Sequence, residues 1–281
     1  MIYLLSFYLF PFLIFLVPCP LVILYIKYGM KEGLIGIFFV PFAILFVSNI
    51  QNATIFLIYI GILTIGIGQM VRENYHHQSI LLTTSGGLIS SSLIIYFSMR
   101  YFTGIDLLES FREIMMSILN DDLFQGLESV SGVVEELIET MIVMAPAVLV
   151  MTALLSAYLN YVIPVHYLAQ KKMSRHLPPY PKNFHLPYGF TAMAIISLTL
   201  VFFSQYLHFP YYQEVMMNMI GVFGGLFMFN GLGTVDYYLA KKSKRSLRII
   251  LPIFLILFQF TLIYSLIGIV DSVINFRKRW K

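Results

Sequence analysis

Residues 53–71 read ATIFLIYIGILTIGIGQMV and contain no charged side chain. A helix needs about 20 mainly apolar residues to cross the roughly 30 Å hydrocarbon core of a bilayer. Because lipid offers no hydrogen-bond partners, backbone amides inside it must bond within their own helix. The stretch therefore predicts a membrane-spanning helix, and further stretches predict the same: 33–48, 79–101, 140–163, 186–207, 214–239 and 249–270.

The first hydrophobic stretch, 2–28, allows two interpretations. It forms either one long span interrupted by Pro11, Pro18 and Pro20, or two short helices joined at residues 17–20. We favour two helices, because proline removes a helix hydrogen-bond donor and disfavours helix in the residue before it. The sequence therefore predicts an all-α, polytopic transmembrane helix bundle of about eight or nine segments.

The composition favours a membrane protein over a soluble one. Hydrophobic residues make up 59% of the 281 positions and charged residues 11%, whereas soluble domains carry about a quarter charged residues. The single cysteine, Cys19, excludes an intrachain disulfide and a metal site built from cysteines alone. No charged region or cleavage site precedes the first hydrophobic stretch, so we expect that stretch to be retained. We expect one membrane domain over 1–281, with helices in 1–101, an acidic segment in 102–139 and further helices in 140–281.

Charges of opposite sign occupy different parts of the chain. Most of the fourteen acidic residues lie between Asp106 and Glu139, where Arg112 is the only basic residue. Cytoplasmic loops of membrane proteins carry an excess of lysine and arginine, so this separation indicates two sides of a membrane rather than a nucleic-acid surface. If the segments alternate, residues 102–139 lie outside, and the basic ending at 277–281 falls outside too, so the side of the C-terminus stays open. The loops predicted to be cytoplasmic contain Lys27 and Lys31, Arg72, residues 171–182 and residues 241–248.

Residues 102–139 show helical periodicity in two runs. Apolar residues recur at helical spacing, with acids between them, over 107–119 and again over 123–138. Asn120-Asp121-Asp122 separates the runs. We expect two amphipathic helices in an extracytoplasmic hairpin, lying on the outer surface or capping the bundle. An ordinary packed hairpin is the open alternative.

Residues 171–187 predict a cytoplasmic connector. The part over 177–187 is rich in proline, which cannot lie inside a helix and favours an extended chain. Basic residues over 171–182 place the connector in the cytoplasm by the same charge rule.

Four features of the chain resemble the YybS-like family of bacterial polytopic membrane proteins, a family without an established reaction. They are Val17-Pro18-Cys19-Pro20 followed by Tyr28-Gly29-Met30-Lys31-Glu32-Gly33, the acidic stretch before 140–163, the connector closing with Leu186-Pro187, and Asn230-Gly231 with the ending Ile267-Gly268-Ile269-Val270-Asp271 and Arg277-Lys278-Arg279. Tyr28 departs from the family pattern, in which we expect histidine. The resemblance implies a multi-pass protein of the bacterial cytoplasmic membrane. The front half is also similar, through its proline turn, to substrate-binding subunits of energy-coupling-factor vitamin transporters.

Asn230 lies in the middle of a predicted span, where an unpartnered polar group is costly. Gly221 and Gly225 precede it at a spacing that allows another helix to approach closely. Asn230 contacts a solute in one interpretation and forms an interhelical hydrogen bond in the other.

Other candidates for ligand binding or helix packing lie in or near the spans. Ser85 and Ser91 belong to a helix rich in hydroxyls and glycine. They line a polar cavity in one interpretation and bond to their own helix in the other. Gln69 and Asn160 are further polar candidates within spans.

Acidic residues near two predicted helix ends indicate ion pairs. Asp236 has Lys241 and Lys242 within reach, and Asp271 has Arg277. We expect these pairs to be solvated at the membrane interface.

The sequence carries no catalytic signature. It contains no His-Glu-x-x-His, Cys-x-x-Cys, Walker-type loop or Gly-x-Ser-x-Gly, so we expect no enzyme activity, metal or cofactor. Our leading hypothesis is a transport-related subunit that binds a small, vitamin-like solute, because of the proline turn and the glycine- and hydroxyl-rich helices over 53–71, 79–101 and 214–239. The alternative is a non-catalytic scaffold that docks membrane-protein partners of envelope machinery through 106–139 or 171–187.

Overall fold

The computed structural model describes residues 15–46, 48–119, 128–173, 182, 184–242 and 261–279. Every regular element in these ranges is helical, and the helices group into two compact units. Unit 1 comprises Met1–Gly126 and Thr152–Pro178, and unit 2 comprises Leu127–Met151 and Pro179–Lys281. The helices are α1 (Cys19–Tyr28), α2 (Met30–Leu45), α3 (Ile50–Arg72), α4 (His77–Thr103), α5 (Leu107–Leu119), α6 (Glu128–Val143), α7 (Ala145–Gln170), α8 (Tyr188–Ser204, followed by a 3-10 turn at Gln205–Leu207), α9 (Tyr212–Lys241), α10 (Thr261–Ile274) and α11 (Phe276–Arg279).

Helices long and apolar enough to cross a membrane make up much of the described chain, which confirms the prediction of an all-helical membrane protein. The predicted segment 249–270 is described only from residue 261, where α10 begins. The shorter apolar helices are Cys19–Tyr28 and Thr261–Ile274. Within the described ranges, five stretches meet the criterion: Ile50–Arg72, His77–Thr103, Ala145–Gln170, Tyr188–Leu207 and Tyr212–Lys241.

The proline turn sets the start of α1. The helix begins at Cys19, directly after Pro18, within the predicted junction at residues 17–20. The predicted helix before this turn falls mainly in residues 1–14, outside the described residues. Gly29 separates α1 from α2 with a φ of 112°, a backbone conformation that glycine adopts without a steric penalty. Any side chain at Gly29 would also meet the guanidinium of Arg72.

Unit 1 packs α1 to α4 and the later part of α7 around two apolar clusters. Tyr25 is almost fully buried among them. Gly33 and Gly68 leave the space for its ring, because a Cβ at either position would overlap it. The glycines of α2 and α3 therefore allow these helices to close around a large side chain of α1.

The predicted span over 140–163 coincides mainly with α7, which is long and apolar enough to cross a membrane but starts only at Ala145, because the chain breaks between α6 and α7. Pro146 has no N–H and disfavours helix in the residue before it. The side chain of Asn218 in α9 satisfies the groups freed at the break. It donates to the carbonyl of Val143 at 2.7 Å and accepts from the amide of Ala147 at 2.8 Å. Membrane helices tolerate proline breaks when neighbouring side chains satisfy the backbone in this way.

In unit 2, α9 and α10 run in the same direction with their backbones in contact. The Ser265 hydroxyl donates to the carbonyl of Gly224 at 3.0 Å. Further along both helices, Gly231 lies against Gly268, and a Cβ at either glycine would overlap the backbone of the other helix. Close packing through small residues is typical of membrane helices. The arrangement brings the C-terminal ends of α9 and α10 to the same end of unit 2.

Candidate functional site

An ionic cluster in unit 2 is formed by His185, Asn230, Thr234, Asp271 and Arg277. The guanidinium of Arg277 lies 3.2 Å from the carboxylate of Asp271, whose side chain is 0% exposed. Burial lowers the pKa of Arg277 from its ordinary value and the charge of Asp271 partly offsets this shift, but an arginine stays charged in a protein. The pair predicted from the sequence is therefore present, but it is buried rather than solvated.

Arg277 uses most of its remaining donors inside unit 2. Nη2 donates to the carbonyl of Asn230 at 3.0 Å, to the side-chain oxygen of Asn230 at 3.1 Å and to the Thr234 hydroxyl at 2.9 Å. Nη1 donates to the carbonyl of Lys182 at 3.1 Å and to that of Phe184. Arg277 thus links the C-terminal segment to α9 and to the residues that precede α8.

Asn230 joins three parts of unit 2. Its side-chain oxygen accepts from the amide of Leu186 at 3.2 Å, and its side-chain nitrogen donates to the carbonyl of Gly268 at 2.8 Å. Asn230 is fully buried, so these bonds offset the cost of removing its amide from water. They are the bonds expected of the interhelical interpretation of this residue.

Asp271 also faces an imidazole. His185 Nδ1 lies 3.3 Å from Asp271 Oδ2, and His185 Nε2 lies 3.2 Å from Asn275 Nδ2. The other carboxylate oxygen, Asp271 Oδ1, is buried and has no hydrogen-bond partner among the described residues. In the described part of the chain, no group of three or more His, Cys, Asp or Glu side chains is arranged to hold a metal ion.

A separate polar chain runs through unit 1 at Asn160. Its side-chain nitrogen donates to the carbonyls of Phe15 at 2.7 Å and Ser156 at 2.9 Å, and its oxygen accepts from the Cys19 thiol at 3.2 Å. The Tyr59 hydroxyl donates to the Ser156 hydroxyl at 3.4 Å. Asn160 therefore fixes the start of α1 against α7, and Tyr59 extends the chain to α3.

A cavity of about 240 Å³ lies beside Tyr59, between α3 and α4. The Ser91 hydroxyl donates to the carbonyl of Leu88 at 2.9 Å, and Tyr59 donates to Ser156, so both oxygens keep lone pairs that can accept from a ligand. The wall is otherwise mainly apolar. It consists of Phe15, Ile55, Phe56, Ile58, Tyr59, Leu88, Ser91, Ser92 and Ile95.

A more open groove of about 500 Å³ follows the same two helices and shares Ile58 with the cavity. A Cβ added at Gly61 would meet no neighbouring atom within 4 Å, so the groove is accessible there. The hydroxyl of Thr84 is buried and lacks a hydrogen-bond partner within the described ranges. Small residues dominate the lining: Gly61, Gly66, Thr83, Thr84 and Gly87, with Leu57, Ile58, Ile62 and Ile65.

The structure does not bring the sequence-predicted residues together at one site. Of that set, Ser91 lines the cavity. Gln69 lies near the end of α3, where it accepts from the Tyr25 hydroxyl at 3.0 Å and contacts Glu73. Ser85 donates to the carbonyl of Leu81 in its own helix at 2.7 Å.

The two predicted glycines of α9 serve helix packing in unit 2. A Cβ at Gly221 would meet Ala147, and one at Gly225 would overlap the side chain of Met151. This is the close approach that their spacing predicts.

Sequence reasoning missed several residues of these sites, among them Tyr59, Thr234 and His185. Tyr59 is one of several aromatic residues in an apolar span, and no local pattern distinguishes it. His185 lies among prolines, and its partner Asp271 is 86 positions away. Only the tertiary structure reveals these contacts.

These observations define a class of protein, a helical membrane protein with buried clusters of polar side chains. The chain belongs to the family described as Predicted membrane protein (DUF2232), whose family model matches residues 1–272. No curated protein and no solved structure matches the chain.

Proposed function

We propose that the chain is a multi-pass protein of the bacterial cytoplasmic membrane, with about eight or nine segments, that binds a small, largely apolar solute as a transport-related subunit does. The cavity beside Tyr59 carries the proposal. The resemblance to YybS-like proteins and, in the front half, to vitamin-binding transporter subunits agrees with it, but a likeness at the level of fold transfers no binding residue.

The distribution of charge in unit 1 supports one orientation in the membrane. Lys27 lies in the last turn of α1, Arg72 ends α3 beside the α1–α2 turn, and Lys171 follows α7. Tyr161 of α7 bonds to His77 at the start of α4, so these cations share one end of the unit. The 27 residues of α4 extend about 40 Å and carry the chain to the opposite end, where acidic α5 begins. The positive-inside rule then assigns the basic end to the cytoplasm and α5 to the outside.

The contacts of Arg277 support a cytoplasmic C-terminus. Arg277 donates to the carbonyl of Lys182, in the connector that its basic residues assign to the cytoplasm. Because α9 and α10 are parallel, the C-terminal end of α10 lies on the same side as that of α9. With the C-terminus in the cytoplasm, the basic residues at 277–281 follow the positive-inside rule. Alternation of the predicted segments had put them outside, against that rule.

The cavity has the chemistry of a site for an apolar solute with one or two hydrogen-bond donors. Ligand sites are usually apolar and concave, with a few placed polar groups. An apolar cavity of about 150 Å³ holds benzene, so 240 Å³ suits one or two fused rings. The oxygens of Tyr59 and Ser91 accept hydrogen bonds, which favours a solute with an N–H or O–H group.

Thermal unfolding in lipid nanodiscs with indole tests this proposal, because indole is a two-ring solute with a single N–H donor. We expect indole to raise the unfolding temperature, and N-methylindole, which lacks the donor, to raise it less. A ligand at 100 times its Kd stabilises the folded state by about 2.7 kcal/mol.

Two serine variants separate binding in the cavity from partitioning into lipid. Ser91→Leu fills the cavity and removes an acceptor, so we expect the indole effect to disappear. Ser90→Leu makes the same change at the adjacent, exposed position and should keep the effect. If a panel of one- and two-ring solutes leaves the unfolding temperature unchanged, or if Ser91→Leu responds as the wild type does, the solute proposal is wrong.

The open groove favours a second candidate function, a non-catalytic scaffold for partner membrane proteins. Small residues such as Gly61 and Gly87 allow the backbone of another helix to approach closely. A photoreactive amino acid at Thr83 should then capture a defined membrane protein in cells, and Gly61→Phe should abolish the capture. Solute stabilisation without any captured partner would favour the first function, and the reverse result the second.

A further inference from the structure

The short segment between α4 and α5 turns the chain back along α4. Gly104 ends α4 with a φ of 71°, a left-handed conformation that glycine adopts readily. Two residues later, Asp106 lies beside α4 rather than beyond its end. The start of α5 is therefore level with the last turns of α4.

The contacts of Asp106 fix this level. Its carboxylate accepts from the amides of Leu108 at 3.0 Å and Glu109 at 3.4 Å, which caps α5, and from the Tyr96 hydroxyl at 3.2 Å. Arg100 Nη1 lies 3.5 Å away. Partial desolvation raises the pKa of Asp106, but these hydrogen bonds and the charge of Arg100 outweigh it and leave the pKa below its ordinary value. Tyr96 and Arg100 precede the end of α4 by a distance of about 5–10 Å.

The last turns of α4 have the composition of a membrane interface. Phe97, Tyr101 and Phe102 are 60%, 84% and 80% exposed, and tyrosine concentrates at the depth of the lipid headgroups. Since α4 is long and apolar enough to cross a membrane, α5 starts at the depth where the span leaves the hydrocarbon core.

α5 presents an apolar stripe that stays partly exposed in the described part of the chain. Leu107, Ile114 and Ile118 are exposed, and at 100° per residue they fall within an arc of about 40°. Glu109 and Glu113 lie on the opposite side of the helix. The helix thus has one face suited to lipid and one suited to water.

We propose that α5 lies in the headgroup region of the bilayer, with the stripe of Leu107, Ile114 and Ile118 against the acyl chains and the acidic face in water. The inference rests on the proposal that α4 spans the membrane. Interfacial helices usually combine apolar burial with attraction of basic residues to anionic lipid. Because the polar face here is acidic, apolar burial and the tether to α4 hold α5 in place. Its depth is therefore independent of the charge of the lipid.

Spin labels on the full-length protein test the proposal. Cys19→Ser removes the native thiol, and single cysteines are introduced as Ile118→Cys and, on the acidic face, Glu113→Cys. The labelled proteins are reconstituted in phosphatidylcholine vesicles with and without phosphatidylglycerol, and the accessibility of each label to oxygen and to a water-soluble nickel complex is measured. We expect the label at 118 to favour oxygen and the label at 113 to favour nickel, equally in both lipids.

Other outcomes contradict the proposal in distinguishable ways. Equal access of nickel to both labels would place α5 in water. Exclusion of both reagents from position 118 would mean that protein, such as a second copy of the chain, covers the stripe. A label introduced as Leu93→Cys, at an exposed position nearer the middle of α4, checks the premise: if it favours nickel, the spanning assignment of α4 fails rather than the interfacial position of α5 alone.

Discussion

Replacing Arg277 by methionine tests the buried ion pair most sharply. The change keeps an apolar stem of similar reach and leaves the carboxylate of Asp271 buried without its cation. Removing one partner of a buried pair costs about 3–5 kcal/mol, because the remaining charge is uncompensated. Arg277 also satisfies several carbonyls of unit 2, so we expect a loss in the upper part of this range.

The free energy of unfolding is measured by circular dichroism as a denaturing detergent is titrated into the protein in mild micelles. Lys242→Met is the matched control, because it removes an exposed cation from the same unit. The Lys242 ammonium lies 4.6 Å from the centre of the Tyr238 ring, and an exposed contact of this kind contributes about 0.5–1 kcal/mol.

A double-variant cycle separates the ion pair from simple loss of packing. Asp271→Leu combined with Arg277→Met removes both charges, and apolar replacement of a whole buried pair is often neutral or stabilising. We expect the double variant to be more stable than Arg277→Met alone. Arg277→Met losing less than about 1 kcal/mol of unfolding free energy, as exposed pairs do, would mean that the pair is not buried as described. The same holds if the losses of Arg277→Met and of Asp271→Leu alone simply add in the double variant.

Two further predictions concern α10 and α5. Gly268→Ala should lower the unfolding temperature, because overpacking a close contact costs about 1–3 kcal/mol, whereas Gly61→Ala in the open groove should be neutral or stabilising; equal effects would refute the backbone contact. The pKa of Asp106 is lowered in the folded state. The ionised carboxylate therefore stabilises the α4–α5 turn fully above its unfolded pKa of about 3.9, and this stabilisation is lost as the pH falls through its folded pKa. A spin label introduced as Ser110→Cys should therefore gain mobility only in that acidic range, and Asp106→Asn should show the gain at neutral pH; a change centred near neutral pH would contradict this assignment.

The length of the apolar stretches predicted where this chain forms helices, but it did not predict the direction in which each helix runs. Residues 53–71 and 214–239 have the length and composition that lipid demands, and both are helical. The direction of a helix leaves no trace in its hydropathy. The parallel packing of α9 and α10 depends on Gly231 and Gly268, which meet only in the folded chain.

The polar residues show a similar limit. The cost of burying Asn230 predicts that it has partners, but its partners are the backbone groups of Leu186 and Gly268, 44 and 38 positions away. Because nearly every residue offers the same backbone N–H and C=O groups, the residue types do not show which positions are the partners. Asp271 and Arg277 are close enough in sequence to suggest a pair, yet the burial of that pair depends on helices that the sequence does not place.

Cysteine accessibility measures on which side of the membrane α5, the residues after α7 and the C-terminal segment lie. In spheroplasts that express the Cys19→Ser protein, single cysteines are introduced as Glu113→Cys, Lys171→Cys and Lys278→Cys and exposed to a membrane-impermeant maleimide. We expect position 113 to react in intact spheroplasts, and positions 171 and 278 to react only after the membrane is permeabilised. Labelling of position 278 in intact spheroplasts would contradict the cytoplasmic C-terminus, and labelling of all three would contradict the membrane topology itself.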